Sequence, residues 1–188
     1  MAQVKYIGLD IAKNVFQDFM ADEKGHRIAN RKLSRAAFLP FMANIPPCTI
    51  GIEACGGAHN CARKLIDMGH TVRIIKPERV KAFLGYRSKT DAADAQAICE
   101  ALMHPNTQFA AIKTVEQQSL DFLLDRRDRL IHDCTEVVNQ TRAFLAELGL
   151  VMPKGVQHFM PCFKALTDEH WEEFNDRIQA VLTQNFSD

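Results

Sequence analysis

The sequence predicts an α/β domain, a mixed sheet flanked by helices, followed by a long coiled-coil-type helix and a C-terminal helix. Three observations predict it. Apolar runs of strand length open the chain in close succession, with turn residues between them. From residue 48 onward such runs alternate with helical periods, the pattern of β-α-β units. From Val115 to Leu148 neither glycine nor proline interrupts a repeating apolar pattern.

Residues 3–10 (QVKYIGLD) read as a central strand and residues 14–21 (NVFQDFMA) as a second. Asp22-Glu23-Lys24-Gly25 is a turn signal into a third strand at roughly 26–33, so the fold opens as an antiparallel meander. Ser34 is placed to cap a helix carrying Phe38, Leu39, Phe41 and Met42, which Pro46-Pro47 breaks. A strand at 48–53 follows, then a helix from about Ala58 to Met68 and a short strand at 71–75 ending in Lys76-Pro77. Thr90 can cap an alanine-rich helix over Asp91–Met103, which His104-Pro105-Asn106 stops. The order β-β-β-α-β-α-β-α implies parallel neighbours joined by right-handed crossovers. It matches the ribonuclease H-like fold.

In the long helix Leu123, Leu130, Val137 and Phe144 recur every seven residues, and Leu124, Ile131, Val138 and Leu145 follow one step on. About 33 helical residues span ~50 Å, too long to lie wholly on so small a sheet. The far part is expected to pack on a second chain, giving a homo-oligomer, dimer or tetramer, through 115–148. The alternative is a hairpin back onto the last helix. Gly149 and Pro153-Lys154-Gly155 break the chain before a final amphipathic helix at about 168–185, with Trp171, Phe174, Ile178, Val181 and Leu182 on one face. The expected division is 1–112 for the sheet domain, 113–152 for the helical stalk and 153–188 for a C-terminal helical segment.

Composition is that of an ordinary globular chain, 47% apolar and 24% charged over 188 residues, with 23 basic against 23 acidic residues. A strongly basic chain would point to nucleic acid directly, and this one does not. The charge is uneven, however: Arg73, Lys76, Arg79, Lys81, Arg87 and Lys89 crowd one stretch against the single acid Glu78. Six cysteines lie scattered with no C-x-x-C pair, as expected for free thiols in a reducing cytoplasm. No apolar run approaches the ~20 residues that cross a bilayer, and no leader precedes the first strand, so a cytoplasmic protein with no membrane partner is expected.

Four acids carry the functional signal. Asp10 and Glu53 each end an apolar strand, where open α/β sheets place their sites. Asp91 and Asp94 sit three apart at a helix start and share a face. Any one of them alone has an ordinary explanation, as a turn residue or as a complement to the helix dipole. Crowded carboxylates repel, and four delivered to strand ends and one helix face suggest divalent cations, with Mg2+ taking hard oxygen ligands and Mn2+ able to substitute. Paired metals clamp the oxygens of a phosphoryl displacement. Beside such a cluster the basic strip suits phosphate contacts better than a solvated face. Cys55-x-x-x-His59-x-Cys61 lacks the spacing and the second ligand pair of a zinc site.

G-L-D-I-A-K, G-I-E-A-C-G and K-T-D-A-A-D-A, in that order, resemble the signature of the DEDD-type insertion-sequence transposases, which include pilin-gene invertases and bridge-RNA-guided recombinases. The long helix ending in N-Q-T-R-A-F-L-A-E-L-G-L-V-M-P-K-G resembles the segment that follows these motifs in those proteins. Cys55 departs from the family, which commonly has a small hydroxyl residue there. The resemblance implies a RuvC-like domain whose Asp10, Glu53, Asp91 and Asp94 bind Mg2+ and act in DNA strand cleavage and joining. It also implies a helical stalk for assembly, DNA as substrate, a structured guide RNA as partner, and Lys76, Arg79, Lys81, Arg87 and Lys89 as nucleic-acid contacts. Family members carry a second domain with a serine that attacks DNA. Ser34, Ser88, Ser119 and Ser187 all fall in the part matching the first domain and stalk, so the chain is expected to bind metal without completing recombination alone. The rivals are a resolvase-like junction nuclease active by itself, a non-catalytic regulator that dimerises with a full-length transposase, and a sugar-kinase-like ATPase. The last lacks its glycine loop after the first strand.

Overall fold

Alternation of apolar and small residues builds a sheet with helices on both faces. In the computed structural model, which describes residues 3–85 and 90–186, β1 (Tyr6–Ile11), β2 (Val15–Ala21) and β3 (Arg27–Ser34) form the antiparallel meander. β4 (Thr49–Glu53) and β5 (Thr71–Ile75) add on in parallel, and a two-residue β6 (Phe109–Ala110) closes the edge antiparallel. The sheet order is β3-β2-β1-β4-β5-β6. This is the ribonuclease H-like arrangement that the sequence predicts, with one short edge strand in addition.

One face of the sheet presents Ile7, Leu9, Phe16, Met20, Ile50 and Ile52 to α1 (Arg35–Met42) and α2 (Ala58–Asp67). Phe16 and Phe38 stack there with centroids 4.3 Å apart. The other face receives α3 (Pro77–Leu84) and α4 (Asp91–Met103), through Ile75, Val80, Ala97, Ile98, Ala101 and Leu102. The caps are those the sequence indicates: the Ser34 hydroxyl accepts from the Ala37 amide at 3.3 Å, and Thr90 Oγ1 from the Ala93 amide at 3.2 Å. Helix α3 was not foreseen, because its residues read as a basic strip; Pro77 opens it at the position where a missing N–H costs nothing.

The chain divides into two compact units, Met1–Glu116 and Gln117–Asp188. Helix α5 (Val115–Glu147) runs as one uninterrupted element, as its lack of glycine and proline requires. Its last turns bury Val138 and Leu145 against Phe159, Phe163, Phe174 and Leu182. The hairpin alternative therefore holds for that end of the helix. Leu120, Phe122, Leu123, Leu124, Leu130 and Ile131, farther upstream, are between 48 and 68% exposed.

The single final helix expected at 168–185 is corrected to two, α6 (Phe159–His170) and α7 (Asp176–Phe186), separated by a 3-10 turn at Trp171–Glu173. The physical reason lies in two side chains. Asn175 Oδ1 accepts from the Ile178 amide at 3.1 Å and so caps a new helix, while Gln179 Nε2 donates to the carbonyls of Trp171 and Phe174 left open by the break. Pro161 lies in the first turn of α6, where proline is tolerated. Among the described residues no helix is long and apolar enough to cross a membrane.

Candidate functional site

Parallel pairing aligns the first two acids. β1 and β4 pair Gly8 with Gly51 and Leu9 with Ile52, so Asp10 and Glu53 are the next residues along adjacent strands. Because alternate strand residues share a face, both acids stand on the side of Gly8 and Gly51. That is the side of α4. A Cβ added at Gly8 would lie 2.1 Å from the Ala95 carbonyl oxygen and 2.5 Å from the Cys99 amide nitrogen, and one at Gly51 3.1 Å from Leu102 Cβ. Two glycines in apolar strands are thus what lets the helix backbone come down onto the sheet.

The helix direction sets where the other two acids go. Cys99 and Met103 pack toward Tyr6 and Ala21, at the opposite end of β1 from Asp10. The start of α4, with Asp91 and Asp94 in its first turn, therefore points to the Asp10 end. The transverse row across β1, β2 and β3 at that end is Asp10, Gln17, Lys32, and Lys32 Nζ reaches Asp91 Oδ2 at 3.6 Å. Asp91 is exposed and Asp94 half-buried.

Cys55 reports on the strand-end pair. Burial, and after it the charges of Asp10 and Glu53, hold its thiol above the ordinary range. Both carboxylates thus act on the space just past the end of β4. The Cys55 Sγ also lies 4.0 Å from the Ile11 carbonyl oxygen, which ties this turn to the end of β1. Gly57, at φ 94, takes the left-handed backbone that swings the chain into α2.

The arrangement delivers four hard oxygen donors to one end of one face. Among the described residues no group of three acidic, histidine or cysteine side chains stands close enough to share an ion. The acids are thus a strand-end pair and a helix pair on a common side. Their chemistry, carboxylate oxygen, is the hard donor type that a divalent cation takes.

Of the basic residues, Lys76 precedes α3, and Arg79 and Lys81 are exposed on it. Arg73 lies over the Phe109 ring, 5.6 Å from its centroid. Arg87, Lys89 and Ser88 lie outside the described residues, as does Ser187. Ser34 caps α1, and Ser119 is on α5. His59 and Cys61 serve packing: His59 Nδ1 accepts from the Lys113 amide at 3.1 Å, and burial pushes the Cys61 thiol up to about 12. The residues sequence reading overlooked are Gln17, Asn30 and Lys32. Their signal was a polar residue, Gln17, inside the apolar run V-F-Q-D-F-M.

Residues 7–149 match the family of DEDD transposases of the IS110 type, described as "Transposase". The chain is 43% identical over 145 residues to the "Probable family 20 transposase" of Pseudomonas aeruginosa, covering 77% of this chain and 43% of that protein. It is 41% identical over 154 residues to "Putative transposase y4pF/y4sB" of Sinorhizobium fredii, covering 82% of this chain and 40% of that one. It thus spans less than half the length of these relatives. Among solved structures it is similar to the RuvC of T. thermophilus in complex with Holliday junction substrate, at 13% identity and a TM-score of 0.44, over 56% of this chain and 98% of that one. With the family match covering the sheet domain, all four acids and the long helix, the chain belongs to the DEDD transposases of the IS110 type.

Proposed function

We propose that this chain is the metal-binding, DNA-engaging part of a transposase that cleaves and joins strands by phosphoryl transfer. The observation that carries the reading is the delivery of Asp10 and Glu53 from adjacent parallel strands to the end of the face where α4 presents Asp91 and Asp94. Asp10, Glu53, Asp91 and Asp94 would hold Mg2+, or Mn2+ in its place. When bound, the cation supplies charge stabilisation at a phosphate oxygen and lowers the pKa of a coordinated water. The protein's own part is to hold two carboxylates on a rigid sheet end and two on the first turn of α4, and to keep α4 seated on Gly8 and Gly51. Lys76, Arg79 and Lys81, with Arg87 and Lys89, are assigned to the DNA backbone, where each contact releases counterions and makes binding salt-dependent.

A net charge of zero leaves little for non-specific duplex binding. With the basic residues gathered in one strip, that is compatible with base reading by a partner, a structured guide RNA that pairs with the DNA. The exposed apolar row of Leu123, Leu124, Leu130 and Ile131 on α5 supports assembly of a homo-oligomer through the stalk. The division of labour follows the chain: chemistry in 1–112, assembly in 113–152, with 153–188 packing the end of the stalk.

The test is calorimetric titration of Mg2+ and Mn2+ into this chain and into Asp10→Ala, with cleavage of branched DNA measured alongside. Binding by the parent and none by Asp10→Ala, without cleavage, is expected of a transposase part that needs further residues for strand joining. Cleavage by this chain alone would move the reading to a junction nuclease. Equal binding by both proteins, or by neither, would overturn the metal site and leave the non-catalytic regulator.

A further inference from the structure

Outside the four acids, one pair of side-chain amides, buried Gln17 and half-buried Asn30, is unused by the site as described. Gln17 stands directly opposite Asp10 in the β1–β2 pairing and is only 7% exposed. Its Nε2 donates to Asn30 Oδ1 on β3, and Asn30 Nδ2 donates in turn to the Ala92 carbonyl at 3.2 Å. Ala92 lies between the acids, in the first turn of α4. Two amides therefore connect the neighbour of Asp10 to the backbone carrying Asp91 and Asp94.

Gly8 lets the helix approach closely, and Phe19 and Ala21 meet Ala95 and Cys99 in an interface of small and apolar groups. Apolar contact is non-directional. A hydrogen bond is directional, and at a half-buried position it adds a link of defined geometry to that packing. Lys32 to Asp91 adds a second link, but both of its ends are exposed and such pairs contribute little.

We propose that Gln17 and Asn30 are positioning residues, an amide relay that holds the first turn of α4, and with it Asp91 and Asp94, at the end of the face where Asp10 and Glu53 stand. This rests on the metal-site reading above. The relay touches neither substrate nor cation; it acts through α4.

The test uses the whole chain, with Mn2+ as the calorimetric probe, thermal melts in parallel, and amide hydrogen exchange. Asn30→Leu keeps roughly the side-chain shape, removes both bonds and leaves the Gln17 amide buried without its acceptor, which lowers stability. The double variant Gln17→Leu/Asn30→Leu replaces both polar groups and restores much of that stability. The expected result is that both variants bind Mn2+ about 10–100-fold more weakly than the parent, the range for residues that orient ligands indirectly. The double variant is expected to recover the melting temperature but not the affinity. Exchange at Ala92–Ala95 should quicken in both, with the rest of α4 still protected.

Affinity that returns together with stability would reduce the relay to a packing role and overturn the proposal. So would parental affinity or unaltered first-turn exchange in either variant. If Asn30→Leu does not fold, the double variant decides by the same criteria. Failure of the metal-site reading is seen separately, as equal Mn2+ binding by the parent and Asp10→Ala; the exchange measurement then still reports whether the relay holds α4.

Discussion

Gly8→Ala tests the seating of α4 with a single methyl group. The added Cβ would stand 2.1 Å from the Ala95 carbonyl oxygen, 2.5 Å from the Cys99 nitrogen and 2.8 Å from Cys99 Cβ. Close carbon–oxygen contacts lie at about 3.3 Å, so something has to move by more than about 1 Å. None of the first two atoms belongs to a flexible side chain; both are helix backbone, and Gly8 itself is in a strand paired on both sides. The move is therefore a displacement of the whole helix. Overpacking costs about 1–3 kcal/mol, and backbone on both sides puts this case at about 3 kcal/mol. For a unit of this size that is a drop of roughly 10 °C in melting temperature. The functional effect is of similar size, because α4 carries two of the four acids and a misplacement of about 1 Å costs on the order of 100-fold in a positioned site. The assay is a thermal melt followed by Mn2+ titration below the transition of both proteins. A variant that melts within a degree or two of the parent and binds Mn2+ equally well would refute the view that Gly8 seats the helix.

Three other expectations follow from particular side chains. Asp18 is fully buried on β2 with Oδ2 lacking any hydrogen-bond partner, and desolvation raises its pKa above 3.8 despite the opposing influence of Arg31. A raised folded-state pKa means the native protein binds more protons than the unfolded one between 3.8 and that value, so stability falls as pH rises through this window. The difference in urea midpoint between the parent and Asp18→Asn should change with pH in that sense and then level off; a constant difference from pH 4 to 7 would show the carboxyl to be unperturbed. Cys55 is held in the thiol form partly by Asp10 and Glu53, so Asp10→Asn/Glu53→Gln should speed its alkylation at pH 8, and an unchanged rate would mean the carboxylates do not face it. Leu123→Asp and Leu130→Asp alter residues 61 and 48% exposed on α5, outside the Val138–Leu145 core. They should abolish self-association by sedimentation while preserving helicity, whereas a parent that is monomeric at tens of micromolar would remove the stalk from assembly.

Much of the sheet domain was legible because its code is local. Period-two alternation, the Asp22–Gly25 turn, and the caps Ser34 and Thr90 act within a few residues, and each appears in the structure where the pattern put it. The order of strands and helices then left few topologies open, and the expected antiparallel meander with parallel neighbours beyond it is what the sheet contains. Local reading failed where a distant or ambiguous partner decided. The basic stretch after Lys76 became α3 because Val80 could bury against Ile98 and Leu102. The last helix broke because Gln179 could satisfy two carbonyls upstream.

The acids divide in the same way. The expectation of a cation rests on residue types alone: carboxylates at strand ends and at a helix start are costly to crowd without one. Which end of α4 points at Asp10, how closely the helix approaches, and which side chains hold it there are properties of three-dimensional packing. Gly8 looked like one small residue in a strand until Ala95 and Cys99 were seen to rest on it, and Gln17 looked like a stray polar residue until Asn30 carried its hydrogen bonding to Ala92. The elements and the candidate acids are written in short-range patterns. The placing of both acid pairs at one end of one face depends on contacts as distant in sequence as Gly8 with Cys99, which no local pattern encodes, because it arises only when the sheet has closed and α4 has settled across it.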